Sequence, residues 1–369
     1  MEIAIRTDGS TQIGAGHVMR CLTLADEVRS RGTKVTFITR ASAGQMLLDM
    51  IRAKGHDLHI LGGPVHGNNS DIGKSGSAHA QWLPVPWEAD ADETLEVLAA
   101  IGGVNWLVVD HYALDARWER RMRPQTAKIL AIDDLADRPH DCDLLLDQNL
   151  GRKSIDYAGL VPDSARLLIG PEYALLRPEF RDARVRALAR RQDGGPVRRI
   201  LVSFGGSDTQ GLTGMALKAI EASGLDVLVD VAAGNSDPEA LGLAEIARRM
   251  PQDVTFHGFD ANMAELMCEA DLAIGAAGSS SWERCCLGLP SVILVLAENQ
   301  RMIAERLDAA DATMSVSVHT LCDQVQSVIN NSRRRISLSR AAALVTDGLG
   351  AQRACSELGQ LQKLNKSFL

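Results

Sequence analysis

The apolar run Ile3-Ala4-Ile5 runs out into Gly14-Ala15-Gly16-His17, and a helical pattern begins at once. A strand that leaves through a glycine turn into a covering helix is the repeating unit of a parallel α/β sheet. The same succession returns far along the chain, where Leu272-Ala273-Ile274 leads to Gly275-Ala276-Ala277-Gly278-Ser279-Ser280 and then Trp282-Glu283. In such sheets ligands gather where strand ends meet helix starts. The two turns therefore predict two ligand-facing mouths.

Between them the alternation of short apolar runs and 3.6-periodic segments is sustained. Strands are expected over 2–6, 34–39, 58–61, 106–109, 128–132, 143–146 and 166–169, with helices over 18–29, 43–51, 91–100 and from 115 onward. The pattern restarts with strands over 199–204, 227–232, 254–257, 272–274 and 291–296, separated by helices over 212–222, 240–248, 263–268 and 279–287. Helices over 323–330, 337–345 and 351–364 follow. At 369 residues the chain is long for one core, since domains hold roughly 100–200 residues. The expected division is an α/β domain over 1–175, an arginine-rich linker over 176–198 ending in Gly194-Gly195-Pro196, a second α/β domain over 199–347, and a helix over 348–369 that reaches back to the first.

Hydrophobic residues at 46% and charged residues at 23% are an ordinary globular balance. A net charge of −8 argues against an extended nucleic-acid surface, which needs many uncompensated Arg and Lys. Neither a basic-apolar leader nor an 18-residue apolar run is present, so a cytoplasmic protein without a membrane partner is expected. The seven cysteines show no C-x-x-C pair and His, Asp and Glu show no ligand spacing, so no metal or other cofactor is expected. A thiol at Cys21, one turn beyond His17, suits the apolar helix face with Leu22 and Leu24 better than a nucleophile's role.

Chemistry concentrates at the strand ends. Gly14 and Gly16 permit a tight turn with free amides, and His17 at that mouth is the candidate catalytic base, with an intrinsic pKa near 6.5 that suits it to take a proton from water. Asp8 is a candidate to orient or neutralise it. In the second half, Gly278, Ser279 and Ser280 resemble a phosphate nest, and Glu283 one turn on is suited to accept from two vicinal hydroxyls of a ribose. Asn299 and Gln300 share that topological address, although Asn299 also suits a helix cap. Gly205 and Ser207, in Gly205-Gly206-Ser207-Asp208, end another strand suited to a pyrophosphate edge, and Asp110-His111-Tyr112 ends one in the first half. A dinucleotide site lacks its third glycine and its acidic residue, since the second strand ends in Thr39-Arg40, and no P-loop pattern occurs.

Four blocks, "RTDGSTQIGAGHVMRCLTLADEVRSRG", "GPEYALLRPEF", "LVSFGGSD" and "IGAAGSSSWERCCLGLPSVILVLAENQ", together resemble the UDP-2,4-diacetamido-2,4,6-trideoxy-β-L-altropyranose hydrolase family of pseudaminic acid biosynthesis, relatives of MurG-like GT-B glycosyltransferases. The resemblance covers nearly the full length. It implies a GT-B-like fold, two Rossmann-like α/β/α domains whose parallel sheets face a central cleft, and hydrolysis of a UDP-sugar by water with inversion at the anomeric carbon. It also implies roles: His17 as the water-activating residue on the Gly14–Gly16 loop; Gly278, Ser279, Ser280 and Glu283 on the phosphate and ribose side; Asn299 and Gln300 toward the sugar; the backbone around His257 and Phe259 toward uracil; and Asp110 and Tyr112 as a further substrate-facing strand end. The partners implied are the UDP-sugar and water, on a chain for which a monomer suffices. Pro84 and Ala277 stand where the family pattern has glycine, and Ala277 matters only if its backbone needs positive φ. The alternatives are a GT-B glycosyltransferase, an epimerase returning a new sugar, and a non-enzymatic nucleotide-sugar sensor; release of UDP and free sugar without an acceptor separates them.

Overall fold

The computed structural model describes residues 1–10, 13–62, 79–205, 208, 211–234, 237–239 and 241–366, with side chains as far as 361. It divides into two units, Met1–Leu175 with Leu349–Leu369, and Leu176–Gly348.

In the first unit the elements are β1 (Glu2–Thr7), α1 (Gly16–Ser30), β2 (Lys34–Arg40), α2 (Gln45–Ala53), β3 (Asp57–Leu61), α3 (Trp87–Ala100), β4 (Val104–Asp110), α4 (Ala116–Met122), β5 (Thr126–Ile132), β6 (Leu144–Asp147) and β7 (Arg166–Ile169). They form a seven-stranded sheet of order β3-β2-β1-β4-β5-β6-β7, parallel throughout. Runs such as Trp106-Leu107-Val108-Val109 and Leu144-Leu145-Leu146 are buried along their whole length, as a sheet with both faces covered requires. Strand order reverses between β1 and β4, so their C-terminal ends flank the switch point.

The second unit contains α5 (Pro178–Arg191), β8 (Arg199–Ser203), α6 (Leu212–Glu221), β9 (Leu228–Gly234), α7 (Leu243–Arg249), β10 (Asp253–Gly258), α8 (Met263–Glu269), β11 (Leu272–Ala276), α9 (Ser280–Cys286), β12 (Ser291–Leu294), α10 (Glu298–Ala309), β13 (Met314–Ser315), α11 (Leu321–Asn330) and α12 (Ser332–Val345). Its six-stranded parallel sheet has the order β10-β9-β8-β11-β12-β13, with the switch between β8 and β11.

Three features differ from the sequence expectation. The stretch read as a linker is largely α5, a helix of the second unit with Phe180 and Ala187 buried. Two of its arginines are packing groups rather than solvated charges: Arg184 donates to Ala343 O at 2.7 Å, and Arg191 to Met267 O and Ala270 O at 2.6 Å. A guanidinium serving carbonyls at helix ends leaves no apolar period to read. The helix α10 and the two-residue β13 were not expected either. The last helix, α13 (Gly350–Lys366), belongs to the first unit and packs on α1. A side chain at Gly350 would stand 2.2 Å from Ala174 O, and Lys128 Nζ donates to Leu361 O at 2.7 Å.

Candidate active site

Beyond β1, Gly14 N donates to Ser10 O at 2.7 Å. Gly14 sits at φ +79°, a conformation that L side chains avoid. Gly16 begins α1, so His17 lies in its first turn, earlier than a helix start at 18 would place it. His17, Arg20 and Cys21 then share one face at i, i+3 and i+4. That face meets the carboxylate at the end of the neighbouring strand β4.

The carboxylate belongs to Asp110, which is fully buried. His17 Nδ1 lies 2.6 Å from Asp110 Oδ1. Arg20 grips the same carboxylate with both prongs, Nε to Oδ2 and Nη2 to Oδ1, each at 2.7 Å. Cys21 Sγ adds a contact to Oδ2 at 3.4 Å. Despite the cost of burying it, Asp110 is held well below the ordinary carboxylate range, chiefly by the Arg20 charge and next by His17. An ionised acceptor fixes the proton of a neutral imidazole on Nδ1, which leaves the Nε2 lone pair free of any described partner. Arg20 in turn donates through Nη1 to Asp134 Oδ2 at 2.6 Å, and the Tyr112 hydroxyl donates to that same oxygen at 2.6 Å.

Aromatic rings enclose the imidazole. Tyr112 meets His17 edge-on at 4.6 Å, Trp82 stands 6.5 Å away, and Trp82 stacks on Tyr112 at 5.4 Å. His79 completes the group, 4.6 Å from Trp82, and burial lowers its pKa. Pro84, two residues beyond Trp82, is half-buried and leaves this ring group intact.

Two expectations are corrected here. Asp8 does not orient His17: its carboxylate is taken by Arg6 at 2.6 Å, Thr39 Oγ1 at 3.1 Å and Arg40 N at 2.8 Å, and it stands 3.4 Å from His111 Nε2. That group ties the ends of β1 and β2 together through a buried network, in which Arg6 and Arg40 also hold Asp90. Nor do Asp110 and Tyr112 present free polar atoms to a substrate, because Asp110 is filled by protein donors and the Tyr112 hydroxyl serves Asp134. Cys21 makes no pair with His17, and burial pushes its thiol far up, the opposite of a nucleophile's need.

In the second unit, Gly205 follows β8 at φ +88°, and Ser207 lies outside the described residues. Asp208 already fills the start of α6, accepting from Leu212 N at 2.8 Å and Thr213 N at 2.7 Å. The turn after β11 has no such side-chain cap. There a side chain at Gly275 would stand 2.3 Å from Ser203 O, so close approach of β8 demands glycine. Ala277 is not among the residues at positive φ and its amide donates to Leu294 O at 3.0 Å, so alanine fits this turn without strain. Ser279 is exposed, while Gly278 and Ser280 are half-buried.

Glu283, one turn into α9, lies 3.6 Å from Arg177 and is 21% exposed. Burial raises its pKa against the pull of that arginine. Asn299 and Gln300 occupy the first turn of α10, whose N-cap is Ala297 rather than Asn299. Gln300 Oε1 accepts from Leu296 N at 3.0 Å, and its Nε2 would lie 3.7 Å from a side chain placed on Gly278, so the turns after β11 and β12 adjoin. His257 lies near the end of the edge strand β10 with its Nε2 on Asp230 at 2.7 Å, and Phe259 is half-buried in the next turn; β9 and β8 separate β10 from β11.

Sequence reasoning missed Arg20, Asp134, His79, Trp82 and Arg284. Arg20 had a signal, the three-residue spacing from His17, once the helix start is moved forward.

Residues 200–352 match the glycosyltransferase family 28 C-terminal domain. The chain is similar to the UDP-2,4-diacetamido-2,4,6-trideoxy-beta-L-altropyranose hydrolase of Campylobacter jejuni subsp. jejuni serotype O:2, at 25% identity over 283 residues, 76% of this chain and 86% of that one. It is similar to the spore coat polysaccharide biosynthesis protein SpsG of Bacillus subtilis (strain 168), at 23% identity with 98% of each chain covered. Among solved structures, Acinetobacter baumannii MurG matches with a TM-score of 0.68 at 15% identity, over 97% of this chain and 99% of that one. The chain is thus related at low identity to enzymes of GT-B-like fold, and its two parallel-sheet α/β units have that architecture. No helix among the described residues is long and apolar enough to cross a membrane.

Proposed function

We propose that the chain is a sugar-nucleotide enzyme that hydrolyses UDP-2,4-diacetamido-2,4,6-trideoxy-β-L-altropyranose to UDP and the free sugar. The observation that carries the reading is the His17–Asp110 pair clamped by Arg20, a base with a fixed tautomer at a sheet switch point. The similarity to the Campylobacter hydrolase supports the choice of substrate.

In the proposed reaction His17 Nε2 takes a proton from water as the water oxygen bonds to the anomeric carbon. The bond from that carbon to the diphosphate oxygen breaks, and its electron pair leaves with UDP. Attack opposite the leaving group inverts the centre. UDP is a stable anion and needs little protonation, so catalysis reduces to positioning water and offsetting charge. Asp110 stabilises the imidazolium that forms. Asp110, Arg20 and Tyr112 act as positioning residues, and the turn with Gly278, Ser279 and Ser280 receives the diphosphate while Glu283 accepts from the ribose hydroxyls. Asn299 and Gln300 are assigned to the sugar, the backbone at His257 and Phe259 to uracil, and Gly205 with Ser207 to the pyrophosphate edge. We place this monomeric protein in the cytoplasm, on the pathway to pseudaminic acid.

A second reading, transfer of the sugar to another acceptor, is favoured by the match of residues 200–352 to a glycosyltransferase domain. Incubating the metal-chelated protein with the UDP-sugar and following UDP and free sugar together by NMR decides between them. Matched release without an acceptor supports hydrolysis; intact substrate that turns over only on adding an acceptor replaces hydrolysis with transfer.

A further inference from the structure

Beneath the turn after β11 lies a buried cation whose hydrogen bonds go to neutral groups. Arg284 is 2% exposed, yet no carboxylate among the described residues lies within ion-pair distance of it. Its Nη2 donates to Ala276 O at 2.7 Å and to Ser281 Oγ at 2.9 Å, and its Nη1 to Ser280 Oγ at 3.1 Å, while Nε has no partner. Burial lowers its pKa to about 10, which still leaves it charged at neutral pH.

A buried guanidinium costs several kcal/mol unless something answers its charge. Three neutral acceptors answer it only in part. Each acceptor is also polarised by the bond it accepts. A serine hydroxyl has one proton and two lone pairs, and Arg284 occupies a lone pair of Ser280 Oγ. The Ser280 proton has no acceptor among the described residues, and the side chain is half-buried rather than sealed in. Ser281 is wholly buried and serves only to hold the guanidinium. What remains for a ligand is therefore the Ser280 proton and one lone pair, with a positive charge beneath them that is hydrogen-bonded to neutral groups and feels the Glu283 carboxylate only at longer range.

We propose that Arg284 is the positioning residue that makes this turn select a diphosphate over a neutral ligand, by fixing Ser280 as a donor and supplying the charge beneath it. The proposal deepens the UDP-sugar reading and rests on it. Arg284 acts through Ser280 and the local potential, not by touching the ligand.

The test compares UDP with uridine by calorimetric titration of the full chain, in the wild type and in Arg284→Met, Arg284→Lys and Ser280→Ala. Charge-assisted hydrogen bonds are worth enough that Arg284→Met is expected to weaken UDP binding by about 30- to 100-fold and uridine by less than about 3-fold. Arg284→Lys keeps the charge but not the fork and should recover part of the loss, while Ser280→Ala should weaken UDP by about 10-fold. Equal weakening of both ligands by Arg284→Met, or unchanged UDP binding in Ser280→Ala, overturns the proposal. Thermal unfolding checks that each variant folds, and if Arg284→Met does not, Ser280→Ala and Arg284→Lys decide. A wild type that binds UDP no better than uridine also overturns it. A wild type that binds neither sinks the nucleotide reading itself, which is distinct from tight UDP binding left untouched by the substitutions.

Discussion

The two switch points use one topology for opposite electrostatic ends. At β1 and β4 a helix delivers His17 and Arg20 onto a single carboxylate, and Arg20 is answered by two carboxylates, Asp110 and Asp134. At β8 and β11 the buried arginine finds only hydroxyls and a carbonyl. A cation gripped by carboxylates fixes a geometry and a tautomer, whereas one whose hydrogen bonds go to neutral groups leaves a potential for an anion to satisfy. In the proposed function, equivalent positions in similar sheets serve as a base and an anion receptor.

The sharpest way to break this contrast is His17→Asn. It should lower turnover of the UDP-sugar by about 1000-fold while leaving UDP affinity within about 2-fold, because the base contributes only to the chemical step. Parallel kinetics and titration read both quantities, and equal turnover in variant and parent would remove His17 from the mechanism. Next in size, Asp110→Asn should cost roughly 100- to 1000-fold in turnover, since a neutral amide no longer dictates the imidazole tautomer. It should also lower the melting temperature by weakening the partnership of buried Arg20. Loss of stability with full turnover would make Asp110 purely structural.

Acid should separate the first unit from the second. Burial pushes His111 down to about 4, so it is neutral in the native protein and takes up a proton on unfolding below about pH 6.5. A depressed folded value means the unfolded chain binds more protons, and stability present above pH 6.5 is lost as pH falls toward 4, by about 3 kcal/mol at most. Urea unfolding of His111→Asn at pH 7 and pH 4.5 should show a flatter pH dependence than the wild type; identical slopes would place the acid sensitivity elsewhere. The smallest effect belongs to the second unit. Glu283→Gln should weaken UDP by about 10-fold and its 2′-deoxy counterpart by less, since one charged acceptor of ribose hydroxyls is lost. Equal weakening of both nucleotides would take Glu283 off the ribose.

Much of this architecture is local and so lies open in the sequence. Apolar runs such as Ile3-Ala4-Ile5 are strands because both faces are covered, and Gly14 and Gly275 mark turns for different reasons, one a positive φ and the other the close approach of Ser203. Helix α5 is hidden in the sequence because Arg184 and Arg191 take inward positions and are spent on carbonyls, a use that leaves no hydrophobic period. The sequence offers Asp8 as a candidate to orient His17, but its carboxylate is filled by Arg6 and Arg40.

The sequence by itself determined the parallel α/β character, the two glycine mouths and the presence of an imidazole at the first, all properties of periodicity and residue type over short spans. Only the tertiary structure decided that Asp110, 93 residues away, is the partner of that imidazole, and that Arg284 is buried with no carboxylate among the described residues in ion-pair contact. Strand order brings the end of β4 beside β1, and a side chain's charge partner is set by what non-local packing leaves within about 3 Å, which no local pattern encodes.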